Sequence, residues 1–271
     1  MKKIEPVCPN ITKNTKNDIN KFWERNVNAE EIFGKKISLH KRGDDDYFSE
    51  LEEQRYRTHS HILPWIQQME SGRSVLEIGC GIGMDSYQLA KRGLNVTGVD
   101  LTKIAIETAK KRFDRNGIVA SFEVGDATNL KFKNESFDYV YSFGVLHHTQ
   151  NTETSIQEVH RVLRKGGVAR IMLYNRHSVN EMVHRITGIP FEDKNELCPV
   201  VRRFTELEVR KLFQKFDNVA IKKEYLFGEG YGLIFKVIPG FLFRLLSNYF
   251  GWHLMITAEK RKEPKVGQLI E

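Results

Sequence analysis

Short apolar runs alternate with segments of helical periodicity through the middle of the chain. Short apolar runs are typical of buried strands, and apolar residues that recur every three to four positions indicate helices. Because strand and helix alternate with short connections, the pattern predicts an α/β fold with a mostly parallel sheet and helices on both faces. The predicted strands are 74–78, 95–99, 119–124, 137–143, 167–174, 219–225 and 254–259, and the predicted helices are 85–92, 103–114, 152–164 and 205–216.

The pattern before residue 71 is different. Residues 1–20 are rich in Asn and Lys, which predicts a mobile N-terminal tail. Residues 21–70 mix aromatic and charged side chains, with Arg55 and His59 spaced as on one helix face. We expect this segment to be a helical lid on a main domain of residues 71–271. Within the lid we expect Tyr56 to be packed and the histidines to lie on the surface.

An unusually apolar insertion covers about residues 227–251 of the main domain. Apolar segments usually pack on a core, which would make it a lid or a dimer contact. Alternatively, it contacts a lipid-like ligand or rests on a membrane surface, with Lys236 and Arg244 at the level of the headgroups. The sequence leaves these alternatives and the oligomeric state open.

The composition indicates the cellular compartment more clearly than the function. The 271 residues carry a formal charge of +7, but no dense Lys/Arg stripe with interleaved aromatic residues favours nucleic acid as a partner. The three cysteines form no C-x-x-C pair, which fits a reducing compartment. The N-terminus lacks a signal-peptide pattern, and no apolar run reaches the ~18 residues of a membrane helix. We therefore expect a cytoplasmic protein.

A glycine motif gives the clearest chemical signal. The predicted strand 74–78 runs into Gly79-Cys80-Gly81-Ile82-Gly83 and then a helix, a turn in which the backbone can approach a ligand closely. Nicotinamide enzymes use a related loop, but their spacing is G-x-G-x-x-G. Glu77 would repel a pyrophosphate and attract an ammonium group. Asp100 ends the next strand, where a carboxylate can accept from ribose hydroxyls.

Further candidates follow the third and fourth strands. Asp126 is placed to accept from an adenine amine, with Ala127 leaving room for the ring, although an Asp in a turn can instead cap a helix. Ser142 to His148 should border the ligand, because ligands lie at the carboxyl ends of strands in open α/β sheets. His147 and His148 are candidates for a general base; the alternative is that they only shape the strand exit.

Five segments together resemble the class I S-adenosylmethionine-dependent methyltransferases, in the type 11 branch that includes enzymes of ubiquinone and menaquinone biosynthesis. They are VLEIGCGIG, GVD, GDA, FDYVYSFGVLHH and RVLRKGGVARIMLY, within about residues 71–175, and Lys165 replaces a usual proline. The resemblance implies a Rossmann-like, mostly parallel seven-stranded sheet and S-adenosylmethionine as cofactor. The predicted cofactor site comprises Glu77, Gly79, Gly81, Asp100, Leu101, Asp126, Ala127 and Ser142.

The predicted function is in-line transfer of a methyl group from the sulfonium to a small-molecule or lipid-like acceptor, with His147 and His148 as catalytic candidates. The alternative is an inactive protein that binds the cofactor and acts in regulation or assembly. We expect no metal, because Ser142 and Asn175 stand where a metal-dependent site would need carboxylates. The acceptor and the methylated atom remain open.

Overall fold

The computed structural model describes residues 16–27, 38–188, 198–227 and 237–261. The helices are α1 Lys16–Arg25, α2 Asp45–Thr58, α3 Ile62–Gln67, α4 Met84–Lys91, α5 Lys103–Arg115, α6 Thr152–Val162, α7 Val179–Thr187, α8 Glu206–Leu212 and α9 Gly240–Phe250, with a 3₁₀ turn at Leu146–His148. The strands are β1 Ser74–Ile78, β2 Asn95–Asp100, β3 Ser121–Val124, β4 Phe137–Phe143, β5 Leu163–Asn175, β6 Arg203–Phe204, β7 Phe216–Glu224 and β8 His253–Lys260.

The strands form one open sheet in the order β3-β2-β1-β4-β5-β8-β7, and the two-residue β6 pairs with β5. Strand β8 runs antiparallel to β5 and β7, and the pairs from β3 to β5 are parallel. The predicted seven-stranded, mostly parallel sheet is thereby confirmed, with β6 as an addition. The strand order reverses between β1 and β4, and ligands bind at such a switch point.

Two boundaries differ most from their predicted positions: β5 begins at Leu163 rather than at residue 167, and α8 ends at Leu212 rather than at residue 216. Phe137 pairs with Leu163 and Tyr139 with Val168, so the register shifts by an irregularity in β5. Gly166, with φ of +75°, lies inside that irregularity. A glycine bulge thus lets the strand continue through a segment that reads as a turn.

In the central strands β1, β4 and β5, most residues are buried on both faces, as a parallel sheet requires. Neighbouring residues on one strand enter different cores: Leu76 packs with α6 and α8, and Val75 packs with α3 and α4. At α8, Thr205 and Glu208 form the predicted capping box. The edge strands β3 and β7 are more exposed.

The N-terminal helices divide between two places. Tyr47, Phe48 and Leu51 of α2 pack on the segment after β1, whereas Ile62 and Ile66 of α3 belong to a sheet core. The predicted lid of residues 21–70 therefore contains a part that is core. Residues 1–15 and 28–37 lie outside the described residues, and residues 16–20 begin α1.

The apolar insertion is described in part. Residues 228–236 lie outside the described residues, and 240–250 form α9. Across the described ranges, every helix is too short or too polar to cross a bilayer.

Candidate active site

A left-handed glycine turn joins β1 to α4. Gly79, Gly81 and Gly83 have φ of +74°, +52° and +79°, which residues with a side chain rarely adopt. The Gly79 N–H donates to the Val99 carbonyl of β2 at 2.7 Å. A Cβ on Gly79 would lie 2.2 Å from Cγ2 of Val145, which follows β4. The turn is therefore held between the carboxyl ends of β2 and β4, where only a bare backbone fits.

Asp100, the last residue of β2, holds the turn through backbone hydrogen bonds. The Gly81 N–H donates to Oδ2 at 2.9 Å, while the N–H and hydroxyl of Thr102 donate to Oδ1 at 2.9 and 2.8 Å. Burial raises the pKa of Asp100, and these donors offset only part of that effect. Because a carboxylate has about four acceptor sites, Oδ2 retains capacity for a further donor. Leu101 is half-buried beside it.

Two buried polar side chains lie beneath the turn. Glu77 accepts a short hydrogen bond from the Ser86 hydroxyl of α4. Burial raises the pKa of Glu77, and the nearby Asp85 raises it further, so a cation beside Glu77 would stabilise its charged form. Ser142 is fully buried, and its hydroxyl donates to the Ile78 carbonyl at 2.9 Å. Ser142 therefore joins β4 to β1 directly below the turn.

A buried network that the sequence did not reveal connects the lid to the turn. Arg55 of α2 binds Asp85 through two nitrogens, at 2.9 and 2.6 Å. The hydroxyls of Tyr56 and Tyr141 each donate to the same carboxylate at 2.9 Å. Although burial opposes its charge, Arg55 and these donors lower the pKa of Asp85. The only sequence signal was an acidic residue in the first turn of α4, which commonly needs no distant partner.

Asp126 follows β3, and both of its oxygens have partners. Oδ1 accepts from the N–H and hydroxyl of Thr128 at 2.8 and 2.7 Å, which matches the turn-capping alternative. Oδ2 pairs with Lys16 of α1 at 2.8 Å. Burial opposes the charge, but Lys16 and Thr128 together lower the pKa of Asp126. Ala127 is buried next to it, and the adenine contact assigned to the pair stays a prediction.

His147 and His148 are both buried at the exit of β4. Nδ1 of His148 lies 2.7 Å from the Val200 carbonyl. Because a carbonyl only accepts, Nδ1 of His148 carries a proton. The His147 ring lies 3.8 Å from that of Tyr174, and burial together with His148 lowers the pKa of His147. Trp23 of α1 packs edge-on against His148 at 5.1 Å. His148 is thus the better oriented of the two candidate bases.

A cluster of rings lies beyond the end of β4 at the same edge of the sheet. His59 stacks on Tyr225 with centroids 4.4 Å apart, and Tyr225 stacks on His253 at 4.7 Å. Nε2 of His61 lies 3.0 Å from Nδ1 of His253, so one imidazole donates to the other. Phe143 meets His253 edge-on at 5.2 Å. We call His59, His61, His253, Tyr225 and Phe143 the ring cluster.

The ring cluster corrects the expected position of two histidines and adds two residues to the candidate site. His59 and His61 are half-buried among rings, so the expectation of surface histidines was wrong. Burial and neighbouring cationic or imidazole groups lower the pKa of each to about 3, which keeps them neutral. Tyr225 has φ of +62°, an unusual conformation for a bulky residue. His253 and Tyr225 carried no sequence signal. Within the described ranges, no three His, Cys, Asp or Glu side chains are arranged to hold a metal ion.

This edge of the sheet suits a cationic ligand that carries hydroxyl groups. Any side chain at Gly79 would fill the cradle against Val145. Burial and the nearby Asp85 raise the pKa of the Glu77 carboxyl, and Arg55 offsets only part of this effect. Asp100 keeps an acceptor site at the rim. These features fit an amino-acid ammonium and a ribose, and they do not fit a pyrophosphate.

Known proteins resemble the central part of this chain. Residues 76–171 match the methyltransferase domain family. The 2-methyl-6-phytyl-1,4-hydroquinone methyltransferase of Synechocystis is 29% identical over 73% of this chain and 60% of its own length. The sterol 24-C-methyltransferase of Pneumocystis carinii is 26% identical over 65% of this chain and 47% of its own length.

Among solved structures, a SAM-dependent methyltransferase from Thermotoga maritima superposes with a TM-score of 0.60 at 19% identity, over 90% of this chain and all of that one. This likeness concerns the fold alone. The two relatives by sequence are matched over less than two thirds of their length, so the shared part is the methyltransferase core. Residues 76–171 are thus similar to the methyltransferase domain family, and this match implies S-adenosylmethionine as the cofactor.

Proposed function

We propose that this chain transfers a methyl group from S-adenosylmethionine to a small, lipid-like acceptor. One observation carries the proposal. The buried carboxylate of Glu77, which a cation would stabilise, lies beneath the glycine turn at the same sheet edge as the ring cluster. The sterol and phytyl-hydroquinone enzymes support the acceptor class, because both names denote largely apolar acceptors.

In this proposal, each cofactor residue predicted from the sequence contacts a different part of S-adenosylmethionine. Glu77 faces the ammonium, Asp100 accepts from the ribose, and Asp126 with Ala127 borders the adenine. For this last contact, Lys16 must leave Asp126 or bridge it to the ring. Bound S-adenosylmethionine supplies a methyl group on a sulfonium, which is already activated for displacement. Gly79, Gly81, Leu101 and Ser142 complete the proposed cofactor site.

The acceptor lies against the ring cluster in this proposal. Flat, neutral rings favour an apolar or aromatic group and keep water away from the reacting atoms. His148 takes the proton of a hydroxyl or acidic carbon at Nε2, because the Val200 carbonyl fixes the proton on Nδ1. His147 shapes the wall through its contact with Tyr174. In this proposal, methyl transfer requires in-line geometry and a base beside the acceptor.

Helices α1 and α2 serve as the lid. Trp23 lies against His148, and Lys16 lies on Asp126, so α1 reaches both the acceptor and the cofactor sides. Arg55 fixes α2 to the glycine turn through Asp85. The residues of α3 remain part of the sheet core. This placement supports a lid role for α1 and α2 and a core role for α3.

Methyl-labelled S-adenosylmethionine tests the proposal directly. The full chain is incubated with a cellular lipid extract and, separately, with a water-soluble extract, and products are identified by mass spectrometry. We expect label in a lipid, and we expect His148→Ala to slow transfer by about 10²–10⁴-fold while cofactor binding persists. The exposed His177 gives the matched control, His177→Ala. Label only in water-soluble products would contradict the acceptor class. Cofactor binding without any product would favour the regulatory alternative.

A further inference from the structure

Helix α9 presents a stripe of large apolar side chains to solvent. Phe241, Leu245 and Tyr249 follow one another at intervals of four residues and are 76%, 50% and 62% exposed. Residues four apart lie on one face of a helix. The inward face is marked by Ser247, which is buried. The apolar face that a soluble helix normally turns to the core is here turned outward.

Helix α7 repeats the arrangement on a smaller scale. Met182 and Ile186, again four residues apart, are 54% and 76% exposed. The two helices extend from one corner of the sheet, because the Asn175 side chain before α7 donates to the Gly251 carbonyl after α9 at 2.8 Å. The two apolar stripes therefore lie on helices that leave the sheet at one corner, and exposed apolar side chains that cluster in this way mark interaction sites.

The charges around the stripes are basic. Helix α9 contains Arg244, which is exposed, and no acidic residue. The acid of α7, Glu181, is buried and paired with Arg185 at 2.7 Å and Arg203 at 3.1 Å. An apolar face with cationic borders complements an anionic lipid surface rather than an acid-bordered protein groove.

We propose that α7 and α9 dock this protein on the surface of an anionic lipid bilayer. The occupant follows from the proposed function, on which this inference rests: a lipid-like acceptor is dissolved in a bilayer. The docking surface also continues into the ring cluster, since Gly251 and Trp252 link α9 directly to His253. An acceptor that leaves the bilayer between the two helices reaches the ring cluster without crossing water.

Vesicle co-sedimentation of the full chain tests the docking surface. The probes are vesicles of phosphatidylcholine alone and of phosphatidylcholine mixed with phosphatidylglycerol. We expect the protein to bind the mixed vesicles, and Phe241→Asp/Leu245→Asp to weaken binding by about tenfold or more, because two apolar side chains no longer enter the interface. Met182→Asp/Ile186→Asp should act in the same direction through α7. Arg244→Glu should weaken binding to the mixed vesicles only.

Val119→Asp is the matched control, since Val119 is 94% exposed and precedes β3 at the opposite edge of the sheet. It should bind as the unmodified protein does. Equal binding of the protein and both double variants would overturn the proposal. So would sedimentation velocity showing a dimer that Phe241→Asp/Leu245→Asp dissociates, because the stripe would then be a self-contact. Calorimetric titration with S-adenosylmethionine on the same samples reports separately on the proposed function.

Discussion

The proposed cofactor half and the proposed acceptor half of the site are built in different ways. The cofactor half rests on main-chain groups and short-range contacts, such as the Gly81 N–H on Asp100 and the Gly79 N–H on Val99. The acceptor half is assembled from side chains of distant segments, as in the hydrogen bond between His61 and His253, 192 positions apart. Main-chain contacts suit a cofactor that many enzymes share. Side chains from distant segments can be substituted to suit a different acceptor. Arg55 and Asp85 join the two halves.

Removing the ion pair between Arg55 and Asp85 should have the largest effect on stability. Arg55→Met leaves the Asp85 carboxylate, whose side chain is 2% exposed, without its counter-ion. We expect the free energy of unfolding to fall by about 3–5 kcal/mol, the cost of an uncompensated buried charge. Arg57→Met is the control, since Arg57 is exposed and should matter by less than about 0.5 kcal/mol. If denaturant unfolding showed the same loss of stability in both variants, the ion pair between Arg55 and Asp85 would not hold the lid.

The glycine turn should be the next most sensitive feature. Gly79→Ala brings a Cβ within 2.2 Å of Val145 at φ of +74°. Strain and overpacking should together cost about 2–3 kcal/mol of stability and remove most cofactor binding. Gly117→Ala separates backbone strain from overpacking. Gly117 has φ of +62°, but a Cβ added there would have no other atom within 4 Å. It should cost about 1 kcal/mol and spare binding. Thermal unfolding and calorimetry giving equal effects would show that the contact with Val145 is unimportant.

Prediction from sequence succeeded where the information is local. The apolar runs and the glycine spacing fixed the strands, the turn and Asp100, because each depends on neighbours along the chain. The Arg55–Asp85 pair and the ring cluster were missed because tertiary packing alone brings their members together. The conformation of Tyr225 could not be foreseen either, since nothing in a tyrosine signals a positive φ.

The pH dependence of cofactor binding sharpens the role of Glu77. Burial and Asp85 raise its pKa, so the carboxyl is protonated to a higher pH in the unliganded protein. An ammonium group binds the ionised form, hence affinity should rise with pH up to that pKa and then level off. The slope is at most about tenfold, or 1.4 kcal/mol, per pH unit. Glu77→Gln should flatten the calorimetric profile, whereas Glu123→Gln, at an exposed site on β3, should not. A persistent slope in Glu77→Gln would place the titrating group elsewhere.

Isothermal calorimetry of the full chain with S-adenosylmethionine, S-adenosylhomocysteine and NAD tests the central assignment most directly. We predict that the first two bind and that NAD does not, because Glu77 attracts an ammonium and repels a pyrophosphate. Asp100→Ala should weaken binding by about 1.5–3 kcal/mol, the range for a hydrogen bond to a charged group. Binding of NAD without binding of either sulfur compound would contradict the assignment. Unchanged affinity in Asp100→Ala would remove Asp100 from the ribose.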